Sequence, residues 1–190
     1  MVKNQKMTNS LFSLSEEIRR CAQCPLWKNR TLAVPGEGPK DAALMIVGEA
    51  PSAEEDHQGI PFIGRTGKFL KAILKEYKIN QENVFMTGAV KCKPQANRTP
   101  KKSELETCKE LWLDKQIEVL KPKIIILLGS TALWSLLKEK DLARIHGKII
   151  EKDNQKYFVT YHPSAAMRFP KIKLLMEKDL QELNEIIETL

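Results

Sequence analysis

Long apolar runs are missing from this 190-residue sequence. The stretch Ile124 to Leu128 has five residues, far below the roughly 20 that a membrane-spanning helix requires. No membrane partner is therefore expected. Aromatic residues are sparse at 6%, and 9 glycines and 10 prolines are too few for a collagen-like or low-complexity chain. Met1 to Ser10 is polar and has no apolar signal core, so a cytoplasmic chain is expected. Acidic residues are also in deficit, 24 against 31 Lys and Arg, which leaves a net charge of +7 and a pI near 9.2. That imbalance favours a polyanionic partner such as DNA without requiring one. What remains is an ordinary globular composition, 42% hydrophobic and 29% charged, on a chain long enough to bury one substantial core. A monomer is expected.

The residue pattern alternates strands with helices. Leu11, Leu14 and Ile18 mark a helix over Leu11–Arg20, and prolines and glycines make Pro25–Lys40 irregular. Strands are expected at Ala42–Val47, Val84–Thr87 and Lys123–Leu128, with a pair at Lys148–Lys152 and Lys156–Thr160. Helices are expected at Gly67–Tyr77, Ala132–Lys138 and Lys171–Leu190, and another from Ser103 to about Leu120. That one opens on a capping box of Ser103 with Glu106. The segments Glu49–Thr66 and Gly88–Lys102 read as loops. Such alternation predicts a three-layer α/β/α sandwich around a mainly parallel sheet. With no repeat or linker, it reads as one domain over residues 1–190. Ligands of such sheets bind beyond the carboxyl ends of the strands, here the loops after Val47, Thr87 and Thr160.

Cysteine is nearly absent, but its four copies are patterned: Cys21 and Cys24 form a Cys-x-x-Cys pair, followed by Cys92 and Cys108. Structural disulfides are disfavoured in a reducing compartment, so the four read as metal ligands or redox groups. Four thiolates suit a zinc site or a cubane iron–sulfur cluster. The wide second spacing argues against a zinc ribbon without naming the metal. A structural role is expected, tying the N-terminal helix to the loop before the Ser103 helix.

The loop after the first strand, from Gly48 to Gly64, gathers five ionisable side chains and one aromatic. Glu54 and Glu55 read as solvated. Glu49, directly after a buried strand, reads as functional, because a carboxylate at that edge can position water or stabilise positive charge. The run GEAPSAEEDHQGIPFIGRTG, the four cysteines, VKCKPQANRTP and the late YHPSAAMR together resemble the family 4, iron–sulfur uracil-DNA glycosylases, from about Cys21 to the final helix. This resemblance implies a uracil-DNA glycosylase-like fold and a base-excision DNA-repair activity. The enzyme would flip uracil out of DNA and hydrolyse its N-glycosidic bond. It further implies a [4Fe–4S] cluster on Cys21, Cys24, Cys92 and Cys108. Glu49 would belong to the catalytic loop with Ala50 beside it against the substrate, Phe62 would stack on the extruded base and His162 would contact the leaving base. Asp56 matches an acidic position near the active site.

Two positions depart from the family pattern. Ser52 stands where glycine is usual, and Gly88 stands where an asparagine amide normally reads the uracil edge. A planar amide accepts from uracil N3–H and donates to O4, so its loss puts discrimination in question. Backbone groups, water, His57 or Asn97 are the candidate replacements, and Gly88→Asn is expected to restore selectivity unless the pocket is built around glycine. Lys91, Lys93 and Arg98, beside Lys101 and Lys102, form a basic stretch expected to contact phosphates. Ser164 and Arg168 are expected where the flipped nucleotide leaves the duplex. Arg144 and His146 read as a DNA-facing or solvent loop. The stretch Lys91–Pro100 has no histidine, so covalent trapping of the product is not expected. Two alternatives stay open: the same scaffold with altered or broader base specificity, deaminated purines included, and a catalytically weak iron–sulfur DNA-binding protein.

Overall fold

A computed structural model describes residues 10–189; the polar stretch at 1–9 and the last residue of the expected C-terminal helix lie outside it. Five strands form one sheet: β1 (Leu44–Gly48), β2 (Val84–Gly88), β3 (Ile124–Leu128), β4 (Ile149–Lys152) and β5 (Gln155–Thr160). Their order is β2-β1-β3-β5-β4, with β2, β1, β3 and β5 parallel and β4 antiparallel at the edge. Residues of alternate parity face opposite sides of a strand, and both sides are buried here. Met45, Val47, Phe85, Ile125 and Leu127 pack in one core cluster. Leu44, Ile46, Met86, Ile124 and Ile126 pack in the other.

The first cluster is covered by α1 (Leu11–Arg20), by α4 (Lys102–Cys108) with its continuation α5 (Asp114–Leu120), and by α6 (Gly129–Leu137). The second is covered by α3 (Arg65–Glu76) and α9 (Pro170–Glu188), which supply Leu70, Ile73, Leu74, Met176, Leu180 and Leu183. The α/β/α layering therefore follows the sequence expectation. The register also sets the site: Gly48 pairs with Gly88, Val47 with Leu127, and Leu128 with Thr160. Four strands thus end in line, and the segments that follow them share one edge.

Three local expectations are corrected. The acidic loop contains a short helix, α2 (Ala53–Gln58), because Ser52 is its N-cap. The Ser52 hydroxyl accepts from Glu55 N–H and the Glu55 carboxylate accepts from Ser52 N–H at 3.2 Å. This accounts for serine at position 52. The helix expected from Ser103 starts at Lys102 and is capped by Glu104, which accepts from Lys101 N–H at 2.7 Å, while Glu106 reaches Lys138 at 3.2 Å. A π-turn over Lys109–Leu113 then joins α4 to α5. The short helices α7 (Leu142–Ile145) and α8 (Pro163–Ala166) have four residues each, too few to leave a periodic signal.

Candidate active site

Glu49 leaves β1 at the aligned strand ends. Its Oε2 accepts from the Thr131 hydroxyl of α6 at 2.6 Å, so one carboxylate oxygen is fixed and the other is free for a ligand or water. Ala89 N–H donates to Gly48 O at 3.0 Å and Val90 N–H to Glu49 O at 3.2 Å. These bonds lock the chain leaving β2 against the chain leaving β1. Thr131 escaped sequence reasoning, because its partner lies 82 residues away.

Phe62 is buried with a φ of 53°, a conformation that a bulky side chain adopts only when its surroundings impose it, at a cost on the order of 1–3 kcal/mol. Gly67 at the start of α3 makes room for this backbone, since an added Cβ there would run into the Phe62 carbonyl. The ring, Glu49, Ala50, Glu55, Gly88 and His162 line one cleft of about 100 Å³. It has room for a planar heterocycle, and its lining combines an aromatic ring, two carboxylates and an imidazole.

His162 is the N-cap of α8. Ser164 N–H donates to its Nδ1 at 3.2 Å, and the Ser164 hydroxyl lies 2.7 Å from the same atom. A backbone N–H cannot accept, so Nδ1 is the acceptor and the ring proton sits on Nε2. Burial pushes His162 below its ordinary value of 6.5, opposed by the charge of Glu49. The ring is therefore neutral at neutral pH and offers Nε2–H as a donor. Ser164, expected against the substrate, instead orients His162. The unfolded chain takes up a proton near 6.5, where the folded chain does not. The His162 contribution to stability is thus present above that value and is lost as pH falls through the folded pKa. His162→Gln should flatten the fall in melting temperature through this window, measured by thermal unfolding at graded pH. An unchanged slope would contradict the buried neutral ring.

Glu55, expected to be solvated, also lines the cleft. Burial pushes its carboxyl up, while the backbone N–H groups of Ser52, Phe62 and Gly64 pull the other way. Asp56, one residue on, is turned away and 3% exposed; both its oxygens accept from Thr31 N–H, at 3.1 and 3.0 Å. It pins the loop before β1 and does not line the cleft, which corrects its expected substrate contact. His57 and Asn97 are exposed and do not line it either. At Gly88, an added Cβ would lie 2.8 Å from the Val90 carbonyl oxygen, so a side chain there must displace backbone.

The basic stretch divides. Lys91 is 1% exposed, and its ammonium donates to Thr87 Oγ1 at 2.6 Å and Gly88 O at 2.9 Å; it cannot reach a phosphate, and that expectation is corrected. Burial lowers its pKa to about 8, with the charges of Cys108 and Cys92 opposing. Arg98 makes a two-pronged bond to buried Glu104, at 2.9 and 2.7 Å, and holds that carboxyl below the usual range. Its charge is thus largely committed within the chain. Lys93 is half-buried and Arg168 exposed. His146 is not a free loop residue: its Nδ1 lies 2.8 Å from the buried Asp179, which also accepts from Thr160 at 2.6 Å.

None of the four cysteines forms a disulfide. Among the described residues no group of three or more His, Cys, Asp or Glu is gathered for a single metal ion. The thiols nevertheless lie close enough for charge on one to raise another: Cys21 acts on Cys24, Cys24 and Cys21 on Cys92, and Cys92 and Cys24 on Cys108. A cubane takes one thiolate at each of four irons and does not require convergence on one point. Three features fit a cluster of thiolates. Arg30 Nη1 donates to Cys92 Sγ at 3.0 Å, and Trp112 Nε1 donates to Cys21 Sγ at 3.2 Å. The third is the Lys91 cation, buried beside two of the four. Donors and positive charge around sulfur stabilise its anionic, metal-bound form. Neither Arg30 nor Trp112 carried a sequence signal for this.

The model for the uracil DNA glycosylase superfamily matches residues 35–190. A type-4 uracil-DNA glycosylase of Sulfurisphaera tokodaii is 39% identical, covering 95% of this chain and 86% of the relative. One from Pyrobaculum aerophilum is 41% identical over 90% of this chain and 91% of the relative. One from Thermotoga maritima is 36% identical over 92% and 93%.

Proposed function

This chain belongs to the uracil-DNA glycosylase superfamily, among its type-4 members, and we propose that it excises uracil from DNA as a monofunctional glycosylase, leaving an abasic site. One observation carries the reading: Glu49, fixed by Thr131, and His162, with its proton on Nε2, face the same cleft as Phe62. A uracil inside a duplex is out of reach and must be rotated into such a cleft. There the Phe62 face supplies stacking. Breaking the N-glycosidic bond leaves positive character on the sugar and negative charge on the base. The free oxygen of Glu49 holds water or faces the cation, and His162 Nε2–H donates to the base oxygen as charge develops. The hydrolytic water supplies hydroxyl to the sugar and its proton balances the departing base.

Gly88 lacks the amide that would read the base, and the cleft wall offers Glu55 in its place. A carboxylate accepts from uracil N3–H and repels cytosine, whose N3 carries a lone pair. Hypoxanthine and xanthine carry an equivalent N1–H, so the altered wall also favours some activity on deaminated purines, the second reading. Excision from single-stranded and duplex oligonucleotides carrying each base separates the two.

Cys21, Cys24, Cys92 and Cys108 would hold a [4Fe–4S] cluster. When bound, it supplies a cross-link between the end of α1 and α4, with no part in bond cleavage. Protein purified without oxygen should be brown and carry about four irons per chain. Cys92→Ser should bleach it and lower its melting temperature; zinc in place of iron would overturn the assignment. Lys93 and Arg168 are the remaining phosphate-contact candidates, and their joint replacement by Ala should shallow the dependence of log affinity on log salt. We place this activity in one cytoplasmic, monomeric domain. Among the described residues no helix is long and apolar enough to cross a membrane.

A further inference from the structure

Lys91 is among the largest fully buried side chains, with Phe158 and Ile18. An ammonium removed from water needs a counter-charge as well as hydrogen-bond acceptors. Its acceptors are Thr87 Oγ1 and Gly88 O, both uncharged. The charges that act on it are those of Cys108 and Cys92, and its own backbone N–H donates to Cys108. Protonated thiols would leave the cation unbalanced, whereas metal-bound thiolates balance it. At its other end, Lys91 holds the carbonyl of Gly88, which lines the base cleft, and Lys91 O accepts from Val34, another lining residue, at 2.8 Å. Thr87, its second partner, is itself tied to Pro35 O at 2.8 Å. One buried residue therefore touches the cysteine site through its backbone N–H and the base-reading edge through its ammonium.

We propose that Lys91 is a positioning residue that serves as the buried counter-ion of the four-cysteine cluster and couples cluster occupancy to the geometry of the Gly88 edge. This rests on the reading that the cysteines hold an iron–sulfur cluster. The ammonium stays buried against Gly88 only while the thiolate charge offsets its desolvation. Loss of the cluster releases it, and the edge that faces the base loses its anchor.

The test uses iron-loaded Lys91→Met and Lys91→Gln. Met keeps the apolar stem and removes charge and donor; Gln keeps an uncharged donor. In both, the cluster midpoint potential should move to a more negative value, because a nearby positive charge no longer favours the added electron. Iron loss to a chelator should be several-fold faster. Uracil excision should fall about tenfold in Met through kcat, with KM little changed, and Gln should recover part of it. Potential and iron-loss rate equal to wild type in both variants would overturn the counter-ion role. A shifted potential with undiminished excision by Lys91→Met would overturn the coupling to the cleft. Should Met fail to fold, Gln decides both points by the same potential and excision measurements. Iron-free wild-type protein, by contrast, would sink the cluster reading itself.

Discussion

Gly88→Asn is expected to lower uracil excision by tenfold or more, not to restore the base reading that the family's asparagine provides. An added Cβ would sit 2.8 Å from the Val90 carbonyl oxygen, a backbone atom with nowhere easy to go. Val90 is bonded through its N–H to Glu49 O, and Ala89 through its N–H to Gly48 O. Moving Val90 therefore drags the segment that carries Glu49. Overpacking of this kind costs on the order of 1–3 kcal/mol, and here the strain falls on the catalytic carboxylate. Gly88→Ala should lose nearly as much as Gly88→Asn, since the Cβ is the common obstacle. Single-turnover excision rates of both variants check this. A Gly88→Asn enzyme that outperforms wild type on uracil would show that the turn yields and that the amide is what the cleft lacks.

Glu49→Gln and His162→Ala should each slow excision by on the order of 10² to 10³, the usual cost of removing a group aimed at charge that develops in the transition state. KM and DNA affinity should change little, because these interactions strengthen only as the bond breaks. Thr131→Val should cost about fivefold: it leaves Glu49 in place but frees an oxygen now held at 2.6 Å, a loss on the order of 1 kcal/mol for one hydrogen bond. Ser164→Ala removes the hydroxyl but leaves the backbone donor at 3.2 Å, so its effect should be the smallest of the four. An equal loss in Ser164→Ala would mean that the hydroxyl, not the backbone, sets the histidine tautomer.

Much of this architecture is legible in the residues. The run Ile124–Leu128 announces a strand buried on both faces, and the alternation around it predicts the parallel sheet. Glu49 stands out because it directly follows such a strand. Contacts across long separations are invisible in that way: nothing near Thr131 or Arg30 marks the partners at Glu49 and Cys92. Glu55 and Asp56 differ from their sequence expectation because adjacent helical residues point about 100° apart. Once Ser52 caps α2, Glu55 turns to the cleft and Asp56 to Thr31. Lys91 misled for a different reason. A lysine in a basic run reads as surface, and its burial makes sense only with compensating negative charge from the cysteines.

The action of Glu49 and His162 on a uracil held against Phe62 is the core of the proposed function. Its most direct test is single-turnover release of free base from oligonucleotides carrying one uracil, cytosine, hypoxanthine or xanthine, by wild type and by Glu49→Gln. Wild type should release uracil fastest, deaminated purines more slowly and cytosine not at all. Glu49→Gln should bind the same DNA but release uracil by on the order of 10² more slowly. Faster release of hypoxanthine or xanthine than of uracil, or a Glu49→Gln rate equal to wild type, would contradict the account.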